Sequence, residues 1–557
     1  MKRKHDQNNI SSNVNNDALL QLVMAFDHVN RDQQTIVLPS GESTTKEQLL
    51  LKVIDLYPSY ANTYYQLALI LKAENRSSII LTSGLSMTEQ QLFLKAIEHY
   101  PNDSRYYNNL GRTLSRGESI TLNNGQSMTK QQLYLKSIEY DPTSHSSYYN
   151  LANTLANGES ITLNNGQLMT KQQLFLKSIE FYPTYSYSYN NLAITLSRGE
   201  SITLNDGTTM TEQQLLLKSI ECDPKNSFSY HNLATTLSNG ESITLNNGQS
   251  MTKQQLLLKS IEYDPTNSDS YFKLALTLSD CESITLNDGQ SMTEQQLYLK
   301  SIEYEPTYYR SYYNLANTLS NGESITLNNG QSMTEQQLYL KAIEFYPTNS
   351  DSYYNLATTL SNGESITLND GQSMTKQQLY LKSIECNPKK YDSYYNLANL
   401  LSRGESITLN DGQSMTEQQL YLKAIECDPN NFDLYYQLLI TLSRGESIIL
   451  NNGQSMTKQQ LYLKLIECDP SKYDSFYNLA ITLSRYETIT LHNGVRMTKQ
   501  QLLLESLRIG HRQRMVYKSI GLTLLNNKQT ITLPIGEQMS RRQLLQKARE
   551  LFNIFEL

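Results

Sequence analysis

The motif Met-Thr-(Glu/Lys)-Gln-Gln-Leu recurs with its Met at 87, 128, 169, 210, 251, 292, 333, 374, 415, 456 and 497, ten successive intervals of 41 residues. Divergent copies extend the series to Thr44, 43 residues before Met87, and to Met539, 42 residues after Met497. Thirteen units at a fixed period mean a stacked array, in which a supersecondary unit too small to bury its own apolar face covers it with its neighbours. The expected organisation is a disordered start over residues 1–16, one array over 17–557 and a capping unit over 510–557.

Proline and glycine punctuate the unit. Eleven of the 13 Pro fall at one repeat position (Pro58, Pro101, Pro142 through Pro470), 13 of the 24 Gly lie three residues before the motif Met or its equivalent, and eight more share a second position (Gly117, Gly322, Gly404 among them). In the unit SYYNLANTLSNGESITLNNGQSMTEQQLYLKAIEFYP, residues 311–347, Tyr312, Leu315, Ala316 and Leu319 stand at i, i+3, i+4 and i+7, one face of a helix. This helix A is expected to run about ten residues and to end near Gly322. Thr334 and Gln337 form the T-x-x-Q version of a capping box, so a second helix, B, starts there. It carries Leu338, Ala342 and Phe345 inward, with Tyr339 and Ile343 widening the face, and stops before Pro347.

Between the helices, ESITLNNGQSM alternates apolar and polar residues around Asn-Gly, the composition of a β-hairpin. A two-residue turn would put Met333 opposite to Ile325 and Leu327. A three-residue loop with Gly330 left-handed and a bulge pairs Ile325 with Met333 and places all three on one face, which is favoured because one buried face fixes register. Helices spaced about 8–10 Å and strands spaced about 4.8 Å have matching pitches, so successive hairpins are expected to join into a continuous antiparallel ribbon.

SYYNLANTLSNGE and LYLKAIEFYPTNS resemble helix A and the end of helix B of the tetratricopeptide repeat, over about residues 17–557. The resemblance implies a mainly α solenoid, an α-α superhelix of helix–hairpin–helix repeats with a small β-hairpin in each. It departs from the family in length, 41 residues rather than 34, the excess being the hairpin, and in Glu335, where the family buries a small residue. The family binds peptides or protein segments in the groove lined by its A helices. Carried over residue by residue, that groove presents Tyr149, Tyr313, Tyr354, Tyr395, Tyr436 and Tyr477 in one ladder. Asn150, Asn191, Asn232, Asn314, Asn355, Asn396 and Asn478 make the next, with Asn153, Asn317 and Asn399 beyond. Asn can donate to and accept from an extended backbone, and Tyr is an interface residue. The competing reading of both ladders is solvated or neighbour-bridging surface. One subclass of the family clamps a terminal carboxylate with Lys and Arg; here the neighbouring positions hold Tyr, Asn or His.

No metal or cofactor is expected. Cys222, Cys386, Cys427 and Cys468 share one repeat position and read as packing residues, while Cys281 replaces the helix-ending glycine of its unit. The seven His show no ligand spacing, and no phosphate loop appears. The recurring carboxylate of Glu323 and Glu364 is one per unit, a surface ladder and not an acid/base pair, so no enzyme is expected. Without a signal peptide or a long apolar run, the chain reads as cytoplasmic. Of its net charge of −7, residues 503–557 contribute nine Lys/Arg against four Glu and Lys2, Arg3 and Lys4 add three positives, leaving about −15 for the rest. An acidic body disfavours nucleic acid. The leading expectation is a protein-interaction scaffold or adaptor; the alternatives are single-stranded RNA binding by Tyr stacking and Asn hydrogen bonding, and a purely structural spacer.

Overall fold

The computed structural model describes residues 36–37, 43–279, 281–320, 322–443, 445–451, 453–510 and 514–553. The expected disordered start, 1–16, lies outside them. The chain divides after Glu294 into two units. Among the described residues the first holds seven two-stranded hairpins and twelve helices, and the second six hairpins and thirteen helices. In both the order is helix A, hairpin, helix B. Helix A packs along the helix B that follows its hairpin, and helix B packs against the next helix A.

Helix B behaves as its sequence dictates. In the unit beginning at Ser311 it spans Glu335–Phe345, capped by Thr334, whose hydroxyl accepts from Gln337 N while the Gln337 side chain accepts from Thr334 N. It ends at Tyr346, before Pro347. Leu338, Ala342 and Ile343 are buried against Tyr312, Leu315 and Ala316. Glu335, at the position where a small residue was expected from the family pattern, is half-buried, and burial pushes its carboxyl up from the usual range.

Helix A departs from expectation at its C-terminus. It spans Tyr309–Asn317 and stops five residues short of Gly322, its last turn tightening into i→i−3 bonds as Thr318 N donates to Leu315 O and Leu319 N to Ala316 O, both at 3.1 Å. Gly322 sits instead in a turn closed by Glu323 N donating to Ser320 O at 2.9 Å, with φ of +87°. The Glu323 carboxylate accepts from Ser320 N at 2.9 Å. The carboxylate ladder read as bare surface is thus a row of turn caps, repeated at Glu118, Glu200 and Glu405.

Cys281 holds the same turn position at φ +66° without glycine's freedom. A left-handed L-residue costs about 1–2 kcal/mol, against which glycine's extra unfolded-state entropy offsets about 0.5–1 kcal/mol. Cys281→Gly is therefore expected to stabilise the first unit by about 0.5–1 kcal/mol; a lower midpoint in urea would contradict the strain argument.

The hairpin takes the bulged form. Ile325 pairs with Met333, Gly330 has φ +86°, and Leu327 N donates to Gln331 O at 2.8 Å around a three-residue loop. Leu327 and Met333 are buried beneath it. Among the described residues the continuous ribbon does not form: each hairpin is its own two-stranded sheet. Matching pitch is insufficient because three-residue strands, seated on the helices by Leu327 and Met333, are tied to the preceding repeat through a side chain. In the second unit the Asn369 amide, in the hairpin turn, donates to Glu344 of the helix B before it, and Glu344 also accepts from Lys341 at 2.9 Å. The same Lys–Glu–Asn chain recurs in the first unit at Lys218, Glu221 and Asn246, with 2.6 Å for both bonds. The hairpins standing apart leave a cleft of about 550 Å³ in the second unit, lined by Met333, Leu340, Ile343 and Leu368 among others.

A second polar ladder is buried. Helix B and the next helix A meet through paired serines, Ser137 with Ser147, Ser178 with Ser188 and Ser219 with Ser229 in the first unit and Ser301 with Ser311 and Ser383 with Ser393 in the second, each pair at 2.7 Å. At Ala342 one partner is missing: its counterpart Ser352 is fully buried with an unpartnered hydroxyl.

Candidate protein-interaction surface

The face of helix A opposite the core is built from positions i, i+3, i+4 and i+7, which adjoin on a helix. In the first unit it carries Tyr149 and Asn150, both half-buried, and Asn153, exposed. In the second it carries Tyr313, Asn314, Tyr354, Asn355, Tyr395, Asn396, Tyr477 and Asn478, half-buried, with Asn317, Asn399 and Tyr436 exposed. All the expected residues lie on this face.

Much of their hydrogen-bonding capacity links one repeat to the next. Asn191 donates to Tyr149 Oη at 3.1 Å and to Asn153 Oδ1 at 2.8 Å, and Asn150 donates to Asn108 Oδ1 at 2.9 Å. In the second unit Asn355 donates to Tyr313 Oη at 3.2 Å and Asn317 Oδ1 at 2.9 Å, and Asn396 to Tyr354 Oη at 2.9 Å. Asn314 turns back to its own helix, donating to Arg310 O at 2.9 Å. Asn317 and Asn399 also accept from the buried Tyr339 and Tyr421 hydroxyls at 2.7 and 2.6 Å. The Tyr rings lean on helix B, Tyr313 on Tyr339, Tyr354 on Tyr380 and Tyr395 on Tyr421, with centroids 6.0, 5.8 and 6.1 Å apart. Burial raises the Tyr149 and Tyr354 phenols above their ordinary range, so these hydroxyls stay neutral near pH 7. Tyr436 differs, stacking on Phe432 within its own helix at 6.1 Å and remaining 40% exposed.

Two features escaped the sequence reading. The Asn317 position becomes aliphatic and exposed at Ile194 and Leu276 in the first unit and at Ile440, Ile481 and Leu522 in the second; reading down the aligned repeats would have found it. The other is His231, whose Nδ1 lies 2.9 Å from Ser270 Oγ and whose Nε2 lies 3.1 Å from an Asp269 carboxylate oxygen. That resembles a nucleophile triad, yet Ser270 is wholly buried and also bonded to Ser260 at 2.9 Å, so it bridges helices and meets no substrate. Cys386 and Cys427 are half-buried with their thiols toward Pro carbonyls of the preceding repeat, and burial raises both. Among the described residues no group of three His, Cys, Asp or Glu is placed to hold a metal ion, and no helix is long and apolar enough to cross a membrane.

A tetratricopeptide repeat profile matches ten consecutive 41-residue segments, from 92–132 through 461–501. The chain belongs to the tetratricopeptide repeat family. Two solved structures resembling this repeat protein are YrrB, described as a tetratricopeptide protein with an unusual peptide-binding site, and yeast Tom70. YrrB is 16% identical, with a TM-score of 0.23, over 40% of this chain and 98% of its own. Tom70 is 14% identical, with a TM-score of 0.27, over 89% of this chain and 91% of its own. Curated proteins give no match.

Proposed function

We propose that this tetratricopeptide repeat protein is a non-catalytic adaptor, one run of about thirteen repeats over 17–557 closed by a capping unit at 510–557. It holds peptide or protein segments along the groove lined by helix A, with Tyr149, Asn150 and Asn153 in the first unit. In the second unit the contacts are Tyr313, Asn314, Asn317, Tyr354, Asn355, Tyr395, Asn396, Asn399, Tyr436, Tyr477 and Asn478. The supporting observation is that this face keeps Tyr and Asn half-open to solvent in repeat after repeat, pre-organised by the inter-repeat amide bonds. Fixing those side chains beforehand lowers the ordering cost of binding, and several weak contacts along a run multiply into useful affinity.

The test is affinity capture from lysate with the intact chain and with Tyr313, Tyr354 and Tyr395 changed to Ala, with and without nuclease, after circular dichroism confirms retained helix. A protein held by the intact chain, lost from the variant and indifferent to nuclease is expected. Recovery of RNA, or equal capture by both chains, would replace the adaptor reading with nucleic-acid binding or with a spacer.

A further inference from the structure

The repeats are near-identical along most of their length, so the places where the helix-A face stops following the pattern carry the information about its occupant. In helices Phe432–Thr441, Tyr473–Thr482 and Arg514–Thr523 the position held by Asn317, Thr358 and Asn399 becomes Ile440, Ile481 and Leu522, 57%, 49% and 54% exposed. On the same face Tyr436, one turn before Ile440, and Met515, two turns before Leu522 at the position of Asp433 and Asp474, are also exposed. Aliphatic residues left about half open to solvent at one repeat position in three successive repeats mark a contact surface.

The other end of the same face is acidic. One turn before the Tyr ladder stand Asp351, Asp392, Asp433 and Asp474 in four consecutive repeats. Lys390 lies 2.7 Å from Asp351 and 3.9 Å from Asp392. Asp433 and Asp474 are exposed and have no ion pair among the described residues. On two adjacent helices the order Asp433, Tyr436, Gln437, Ile440 repeats as Asp474, Tyr477, Asn478, Ile481: carboxylate, aromatic, amide, aliphatic.

We propose that helices Phe432–Thr441, Tyr473–Thr482 and Arg514–Thr523 dock an extended protein segment that carries Lys or Arg beside apolar side chains, its cations on Asp433 and Asp474 and its apolar groups on Ile440, Ile481 and Leu522. On the first two of these helices the charge selects this occupant, since a nucleic acid or an acidic segment would meet Asp433 and Asp474; on the third the matching positions hold Met515 and Lys518, both exposed, so the cations belong on the first two. With neighbouring repeats about 10 Å apart and an extended chain advancing about 3.3 Å per residue, the apolar side chains recur at about every third position. The inference rests on the adaptor reading and names its partner and place.

The experiment uses the full chain and a fluorescein-labelled peptide of repeated Lys-Ser-Leu triplets, followed by anisotropy, beside Glu-Ser-Leu and Lys-Ser-Asn counterparts and a labelled oligouridine. Saturable binding of the first probe alone is expected. The triple change Ile440→Asn, Ile481→Asn, Leu522→Asn, which restores a residue native repeats carry there, should weaken it about a hundred-fold, as loss of the newly covered half of three aliphatic side chains requires. Asp433→Asn with Asp474→Asn should weaken it several-fold and flatten its salt dependence. Equal binding of the acidic probe or of oligouridine, no binding of the first probe, or indifference to the triple change overturns the inference. The adaptor reading survives any of these if lysate capture still depends on Tyr313, Tyr354 and Tyr395.

Discussion

Ser383→Ala is expected to cost about 1–3 kcal/mol, the desolvation penalty of a buried hydroxyl stripped of its partner. Ser383 joins three groups: its hydroxyl lies 2.7 Å from Ser393 Oγ and 2.9 Å from Ser350 Oγ, and donates to Ser350 O at 2.9 Å. Both Ser383 and Ser393 are fully buried, so water cannot replace the lost bond. The chain holds the outcome already at Ser352, orphaned opposite Ala342. Ala342→Ser should therefore gain about 1 kcal/mol by making the bond its neighbours make. The double change Ser383→Ala with Ser393→Ala should recover much of the single loss, because removing both polar partners is far cheaper than removing one. The native precedent is Ala424 facing Leu434, apolar on both sides and both buried. Hydrogen exchange of the helix Tyr391–Asn399 and urea midpoints measure all three. A double variant worse than the sum of its parts would remove hydrogen bonding as the explanation.

Acidification is expected to loosen both units through the Lys–Glu–Asn chains. Glu139, Glu221, Glu344 and Glu385 are held below the usual carboxylate range first by hydrogen bonds from their lysines and also by the hairpin asparagines. A carboxyl whose folded value is depressed adds stability above its unfolded value, about 4.3, and loses it as pH falls through the folded value. These pairs are mostly solvent-exposed, so each is worth about 0.2–0.5 kcal/mol, and the chain as a whole loses about 2 kcal/mol between pH 5 and pH 3 by summing the exposed pairs. Glu212, Glu335 and Glu417 act with the opposite sign, since burial raises them; their stabilising share is full at low pH and disappears as pH rises through the raised value. Changing these three to Gln should therefore steepen the acid loss. Thermal melts at pH 7, 5 and 3.5 in low and high salt read it out, and an acid loss unaltered by that change would discard the opposing contribution.

The repeat period, the capping box, the bulged hairpin register and the stop before Pro347 were legible because each depends on neighbours within a few residues. What the sequence hid depends on neighbours one repeat away. The end of Tyr309–Asn317 is a local tightening of the last turn, but the isolation of the hairpins depends on where Asn369 finds Glu344, which no single unit reveals. The helix-A face was legible as a set of positions: Tyr313 and Asn355 were expected on it and are there. That Asn355 is already engaged with Tyr313 and Asn317 depends on the offset between adjacent helices, which periodicity leaves open. The buried serines were missed for a different reason: Ala and Ser are both small, and at position 342 the resemblance suggested only smallness, whereas the partner ten residues on decides whether a hydroxyl is wanted.

The bond from each hairpin asparagine to a glutamate 25 residues earlier always points towards the N-terminus. During synthesis, when a new hairpin emerges, the carboxylate it will grip has already left the ribosome on the previous helix B, while its own helix B has yet to emerge. Growth in this direction offers every new unit a finished docking edge. A chain refolding from denaturant has no such order, so a co-translational yield above the refolding yield is the biosynthetic signature of this one-way clasp.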